Sequence, residues 1–319
     1  MTVMAPRVRI ATWNCFGSIT SLQGLLLARP RFPERLVSPA LPRALAAFDV
    51  VCVQENFLPF VTTALEEVAH EARMRLWYDR DLPGIAERSV FGGGLAILSR
   101  RAPRSVTFTT FEGRSHGFDA YACKGFAVAE FDSPGGRYRV VNTHLQADDP
   151  VFGVGDARAV RAAQFEALLA ALDPRVPTVL AGDLNVPYGS DEYAATVAPA
   201  LDRAGLRDHG AGLPLVTFDP VTNDLLRAVG PTEVPARLDY VLSLGSDALR
   251  WTERAAPRLV LAEPLDEPLD GGRGRMFASD HYGLGVTLEL SPQIEARPGP
   301  RASPVLASPG EAPAAASVC

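Results

Sequence analysis

Residues 125–145 read GFAVAEFDSPGGRYRVVNTHL. Two β-rich runs flank DSPGG, and Asp, Ser, Pro and Gly are the residues a tight chain reversal uses. The stretch predicts a hairpin with its turn centred on Pro134. In an antiparallel hairpin so centred, Lys124 falls opposite His144 at the open end. Lys124 is the only lysine of a chain whose Lys and Arg together number 31. A compact point charge placed beside a histidine suits an anion better than the broad guanidinium used elsewhere.

Working outward, β-rich runs recur on both sides of the hairpin: VRIATWNCF, FDVVCVQENF, GGGLAILSR, RSVTFTTF, VPTVLAGDLN, RLDYVLSL and YGLGVTLEL. Helical spacing appears in FVTTALEEVAHEARMRL, through Val61, Leu65, Val68 and Ala72. It appears again in DARAVRAAQFEALLAAL, with Asp156 as N-cap and Val160, Leu168, Leu169 and Leu172 turned inward. ALPRALAAF reads as a short helix between the first two strands. Strands joined by both hairpins and helices predict an α/β protein of packed sheets with helices outside, not a doubly wound parallel sheet.

The totals fit one large domain or two small ones. The chain has 319 residues, is 47% hydrophobic and 21% charged, and carries a net charge of −6. That balance gives no global basic footprint for nucleic acid. Cys15, Cys52, Cys123 and Cys319 show no CxxC spacing, so neither a disulfide framework nor a zinc site is expected. MTVMAPRVRI lacks the apolar core of a signal peptide, and no run of 18 apolar residues follows, so the expected compartment is cytoplasmic. From Ser291 the composition changes: six prolines and seven alanines in 29 residues cannot hold a core. We therefore divide the chain into a catalytic-type domain, 1–290, and a Pro/Ala-rich disordered tail, 291–319.

The strand-like runs end in a particular set of polar residues: Asn14, Gln54–Glu55, Asn142–His144, Asp183–Asn185, Asp239 and Asp280–His281. Each alone has a plain structural reading as a turn former, a cap or a satisfied core histidine. Six strand ends together offer what a hard divalent cation and a phosphate ester require. Mg²⁺ takes oxygen ligands, one or two of them carboxylates. Hydrolysis needs donors to the phosphate oxygens and a base for water, which His supplies near neutral pH.

TWNCFGS, VVCVQENF, GGGLAILSR, VVNTHLQADD, LAGDLNVP, RLDYVLS and SDHYGLGV, in this order, resemble the motifs of the endonuclease/exonuclease/phosphatase superfamily over about residues 7–290. The resemblance implies a DNase I-like, four-layer α/β sandwich: two packed mixed, mostly antiparallel sheets with outer helices. It implies a phosphodiesterase, a hydrolase of phosphoric ester bonds that depends on Mg²⁺ or, failing that, Mn²⁺ or another divalent cation. Asn14 and Glu55 would hold the metal, with Asp280 near it. His281 would be the general base, oriented by Asp239. Asp183 and Asn185 would bind water, phosphate and the metal shell, and His144 would donate to the phosphate. Lys124, beside His144, would stabilise charge on the phosphate or support neighbouring carboxylates.

Within the superfamily, THLQADD, CKGFAVAEF and WNCFGS are similar to segments of neutral sphingomyelinases. That likeness implies a phospholipid headgroup bond as substrate. The chain shows neither the secretory leader nor the C-terminal membrane segment expected of that branch, so it is expected to depart from it in how it reaches a lipid surface. Leu25–Leu27, with basic flanks, is a candidate for peripheral membrane contact, against the plainer reading of a buried helix. No obligate protein partner is implied. Two alternatives stand beside this reading. One is a nuclease acting on DNA or abasic sites, which shares the whole polar set. The other is a non-catalytic binding protein on the same fold, which would be expected to have lost one of these groups. An inositol-phosphate phosphatase ranks lower, because it would differ around LDYV.

Overall fold

The 125–145 stretch is a hairpin at the centre of a six-stranded sheet in a computed structural model of the protein. The structure describes residues 6–17, 35–79, 92–148 except 112 and 114, 157–229, 233–269 except 267, and 274–293. The strands are β1 (Arg7–Asn14), β2 (Val50–Gln54), β3 (Arg75–Tyr78), β4 (Ala96–Ser99), β5 (Ser105–Thr110) and β6 (Gly125–Ser133). They continue as β7 (Gly136–His144), β8 (Thr178–Asp183), β9 (Arg207–Asp208), β10 (Asp239–Leu244), β11 (Leu249–Val260) and β12 (Gly283–Pro292). The helices are α1 (Ala40–Leu45), α2 (Pro59–Glu71), α3 (Arg158–Ala170), α4 (Ala198–Ala204) and α5 (Asp224–Val229).

One sheet runs β11-β12-β1-β2-β4-β3 and the other β5-β6-β7-β8-β10-β9. Among the described residues only β1–β2 and β7–β8 pair in parallel. Each of those connections carries a helix, α1 or α3, as a parallel crossover demands. The expected mixed, mostly antiparallel sheets are thus found, in four layers.

Period-two alternation builds the layers. Ile10, Cys52 and Ile97 of the first sheet meet Ala129, Val140, Val179 and Val241 of the second between the sheets. The next residues along, Ala11, Val51 and Leu98, face outward under Leu41, Leu45, Val61 and Leu65 of α1 and α2. On the far side Val141, Leu180 and Tyr240 pack under Phe165 and Leu168 of α3 and Leu201 of α4. No described helix is long and apolar enough to cross a membrane.

Several details differ from the sequence reading. The turn is the two residues Pro134–Gly135, with Ser133 paired to Gly136, so its centre lies half a residue later than expected. Phe126 pairs with Thr143, and one step on Gly125, not Lys124, falls opposite His144. On α3, Arg161 and Gln164 are buried while Val160 and Leu169, and Leu172 just past the helix end, are only half-buried. The reason is a buried ion network: the Arg161 guanidinium grips Glu192 at 2.7 Å and Asp148 at 2.9 Å. Charge pairing here replaces the apolar residue that periodicity predicts. β11 escaped notice because Arg, Glu and Pro interrupt its alternation, as suits an edge strand with bulges. β12 runs to Pro292, two residues past the expected domain boundary, and the tail beyond 293 lies outside the described residues. So do Asp156, Asp149 and the Leu25–Leu27 stretch.

Candidate active site

The topology gathers the polar strand ends at one edge. Asn14 and Gln54 end the adjacent parallel strands β1 and β2. His144 ends β7 directly opposite Asp183, the end of β8. Asp239 begins β10 opposite the same Asp183, because that pairing is antiparallel. Asp280 and His281 lie just before β12, which runs antiparallel to β1. A backbone approach closes the edge: a Cβ on Gly17 would sit 2.2 Å from the Glu55 carbonyl oxygen. Glu55 and Asn185 themselves hold positive φ, 63° and 53°. For a glutamate this costs on the order of 1–3 kcal/mol, strain of a kind that collects at functional sites.

Asp183 is the hub. Its Oδ2 accepts from Asn14 Nδ2 at 3.1 Å and lies 3.7 Å from His144 Nε2 and 3.8 Å from His281 Nε2. Its Oδ1 accepts the Asn185 N–H at 2.8 Å. His281 Nδ1 is 2.9 Å from Asp239 Oδ2. Asn14 Nδ2 also donates to Glu55 Oε1 at 3.1 Å, and Ser279 Oγ donates to Asp280 Oδ1 at 3.0 Å. The eight residues expected to converge, Asn14, Glu55, His144, Asp183, Asn185, Asp239, Asp280 and His281, thus form one connected polar set. Gln54 and Asn142 do not join it. Asn142 bridges the sheets, donating to Val53 O and Ala96 O and accepting from Gln54 Nε2 at 2.7 Å. Period two aims Asn142 into the sandwich below His144, so the pair pins the sheets together beneath the site.

The electrostatics are those of a crowded carboxylate cluster. Burial pushes Asp183 up to about 6, with Asp239 adding to the rise and His281, Asn14 and Asn185 opposing it. Burial likewise pushes Asp280 up to about 7; Glu55 adds to it, against His281, Ser279 and Arg35. For His281, burial alone lowers the pKa, but attraction to Asp239 and Asp183 and the hydrogen bond to Asp239 outweigh it, raising it to about 10. His144 goes the other way. Burial first, then Lys124 and His281, hold it well below the usual value, so its ring is neutral. The surrounding carboxylates thus favour the protonated ring of His281 in the bare cluster. A base role, expected from the sequence, would need opposing positive charge to offset those carboxylates, and a bound divalent cation would supply it.

The residues present fit such a cation. Glu55 Oε2 and Asp239 Oδ1 are buried with no hydrogen-bond partner. Ligand atoms of Asp183, Asp239 and His281 lie within 4.8 Å of one another. Uncommitted, buried carboxylate oxygens are the donors a hard cation takes. Glu55, Asp183 and Asp280 are the groups that would hold it. Asn14, expected as a ligand, lies between two of the carboxylates. Its amide nitrogen spaces Glu55 from Asp183 while its Oδ1 accepts the Phe16 N–H at 3.0 Å.

Lys124 reaches the site's edge with a partner that sequence reasoning missed. Its buried ammonium lies 3.1 Å from Asp119 Oδ1 and 3.3 Å from Leu145 O, the carbonyl that Asn185 Nδ2 also binds at 3.0 Å. Asp119 Oδ2 accepts the Ala147 N–H. Lys124 therefore ties the loop after His144 to the turn holding Asp119. No periodicity marks an acid five residues ahead of its partner. Lys124→Ala is expected to destabilise the fold by roughly 3–5 kcal/mol, because it strands a buried carboxylate. Lys124→Ala/Asp119→Ala should lose less than the single change, which denaturant titration of both proteins checks. Thr217, Phe218 and Ser279 also touch the site without having been singled out.

Two packed sheets with helices outside, and a carboxylate–histidine–carboxamide cluster at one edge, define a protein built for phosphate-ester chemistry. The chain belongs to the Endonuclease/Exonuclease/phosphatase family, which it matches over residues 11–281. It is 30% identical over 154 residues to sphingomyelinase C of Listeria ivanovii, a match covering 47% of this chain and 45% of that protein. The match thus spans less than half of that curated relative. Its fold is similar to that of sphingomyelinase C from Streptomyces griseocarneus, with a TM-score of 0.64, 27% identity, and 88% and 99% of the two chains covered. It is also similar in fold to D. rerio TDP2 complexed with a single-strand DNA product, with a TM-score of 0.62, 18% identity, and 88% and 98% covered.

Proposed function

We propose that the protein hydrolyses the headgroup phosphodiester of a phospholipid in the manner of sphingomyelinase C, with Mg²⁺ as its cation. Water adds to phosphorus, the bond from phosphorus to the lipid oxygen breaks, and the products are a phosphorylated headgroup and a lipid alcohol. His281 Nε2 takes the proton from water while Nδ1 stays on Asp239. His144, neutral, donates to a phosphate oxygen from one ring nitrogen, and its buried Nδ1 has no other partner. Asp183 and Asn185 orient the water and phosphate.

The observation that favours a lipid over a nucleic acid is apolar exposure close in sequence to the site. Phe60, Tyr121, Val221 and Val234 are exposed, at 43%, 55%, 69% and 70%. Each lies three to five residues from a site residue: Glu55, Lys124, Phe218 beside His281, and Asp239 respectively. Exposed apolar side chains on the segments that carry the site suit an interface of acyl chains. The tightest arginine cluster, SRRAPR, lies at the other end of the sandwich, where the Arg100 N–H binds Asp49 O at the start of β2. A backbone-tracking nuclease needs such cations beside the cleft.

A substrate panel tests the reading: sphingomyelin and other phospholipids in mixed micelles, abasic DNA and inositol phosphates, each with Mg²⁺ and with EDTA. Mg²⁺-dependent release of phosphocholine or a related headgroup is expected. Cleavage of DNA without lipid hydrolysis makes the chain a nuclease. No turnover of any phosphodiester makes it a binding protein.

A further inference from the structure

The His281–Asp239 pair joins residues 42 apart in sequence, on segments that do not pair with each other as strands. Something must fix their spacing. Residues 217 and 218, in a stretch the sequence reading left without a role, lie between the two segments. Thr217 is fully buried. Its Oγ1 accepts the N–H of Leu238 at 3.1 Å and of Asp239 at 3.3 Å. Its carbonyl accepts the N–H of Tyr282, the residue after His281, at 2.7 Å, and its own N–H donates to Ala236 O at 3.1 Å. Phe218 makes backbone bridges to both Ala236 and His281. Its ring lies 4.8 Å from the imidazole, tilted by 52°.

The geometry points to Thr217 as a positioning residue for the reaction, with Phe218 as its companion: the hydroxyl sets the backbone of Asp239, the carbonyl sets the backbone of His281, and the Phe218 ring holds the imidazole plane between them. A threonine does this because one residue then presents two acceptors on opposite sides, one from the main chain and one from the side chain. Valine matches its shape and lacks the hydroxyl. The hydroxyl's loss leaves two buried N–H groups unpaired exactly where the orienting carboxylate begins its strand, so the first effect falls on the alignment of the pair. Positioning of this kind is steep in its consequences: a displacement of about 1 Å costs on the order of 100-fold in rate.

The inference rests on the phosphodiesterase reading for its kinetic arm and on the pair alone for its spectroscopic arm. Full-length wild type, Thr217→Val and Thr217→Ser are compared, saturated with Mg²⁺, on micellar sphingomyelin. In parallel, the downfield proton resonance of the hydrogen-bonded His281 ring N–H is recorded, assigned by its disappearance in His281→Ala. We expect Thr217→Val to lower kcat by about 10- to 100-fold with KM changed less than about twofold, and to shift or broaden the resonance. Thr217→Ser, which restores the acceptor, should recover most of the rate and the resonance position. If Thr217→Val fails to fold, Phe218→Leu, at a half-buried position, is read in the same two ways. A folded Thr217→Val with wild-type kcat, or with an unmoved resonance, overturns the inference. A wild type without phosphodiesterase activity ends the functional reading instead, while a resonance that moves in Thr217→Val and returns in Thr217→Ser still supports the positioning role.

Discussion

His281→Ala is expected to lower phosphodiester turnover by on the order of 10²–10⁴-fold, the usual contribution of a positioned base. The argument rests on both nitrogens of the ring. Nδ1 is held by Asp239 at 2.9 Å, which fixes the plane and leaves Nε2 facing the site, 3.8 Å from Asp183. Neither His144 nor His209 can substitute. His144 sits across Asp183 with its own pKa pressed down, and His209 is committed to Glu253 and Ser243 on another part of the sandwich. Removing the imidazole also removes the positive charge among Asp183, Asp239 and Asp280, so the variant's fold should be judged by circular dichroism with the cation present. Turnover within about threefold of wild type by a folded His281→Ala protein, against the loss expected of a base, refutes the assignment.

Removing the divalent cation should abolish turnover and lower thermal stability, and the second effect should grow with pH. Asp183 and Asp280 are raised from 3.8 to about 6 and about 7, and His281 from 6.5 to about 10. A group whose folded pKa lies above its unfolded value contributes stability that is present below the unfolded pKa and lost as pH rises through the folded one. For the two acids the loss runs from about pH 4 to 7, and for the imidazole from about 6.5 to 10. All three therefore act in one direction: the cation-free protein weakens steadily from pH 5 to pH 9. A cation binds the ionised carboxylates, so it restores more at the alkaline end. We expect the Mg²⁺-induced rise in Tm to be small at pH 5 and on the order of 5 °C at pH 9, read by scanning fluorimetry with EDTA and with Mg²⁺. A rise that is the same at both pH values would show that the cation binds outside this cluster.

The sequence by itself determined the layers and the chemical inventory. Short β-rich runs joined by both hairpins and helices indicated packed sheets with helices outside, because a doubly wound sheet would alternate strand and helix. Pro134 and the glycines after it announced the hairpin, because few residues tolerate such a reversal. The ends of those strands carried Asn14, Glu55, His144, Asp183, Asp239 and His281 in an order specific enough to indicate phosphate chemistry. What tertiary structure decided was which of these groups touch. Asn142 and His144 share a face, yet one pins the sheets and the other meets Asp183, because depth in the sandwich is not encoded by alternation. Lys124 was conspicuous as the lone lysine, but its partner Asp119 was not, since ion pairs between loops have no period. Arg161 occupies an apolar position of α3 only because Glu192 and Asp148 come to it. The proton on His281 was likewise beyond the sequence. A pKa depends on burial and on charges a few ångströms away, and the three carboxylates that raise it come from β8, β10 and the loop before β12, brought together only when the two sheets close.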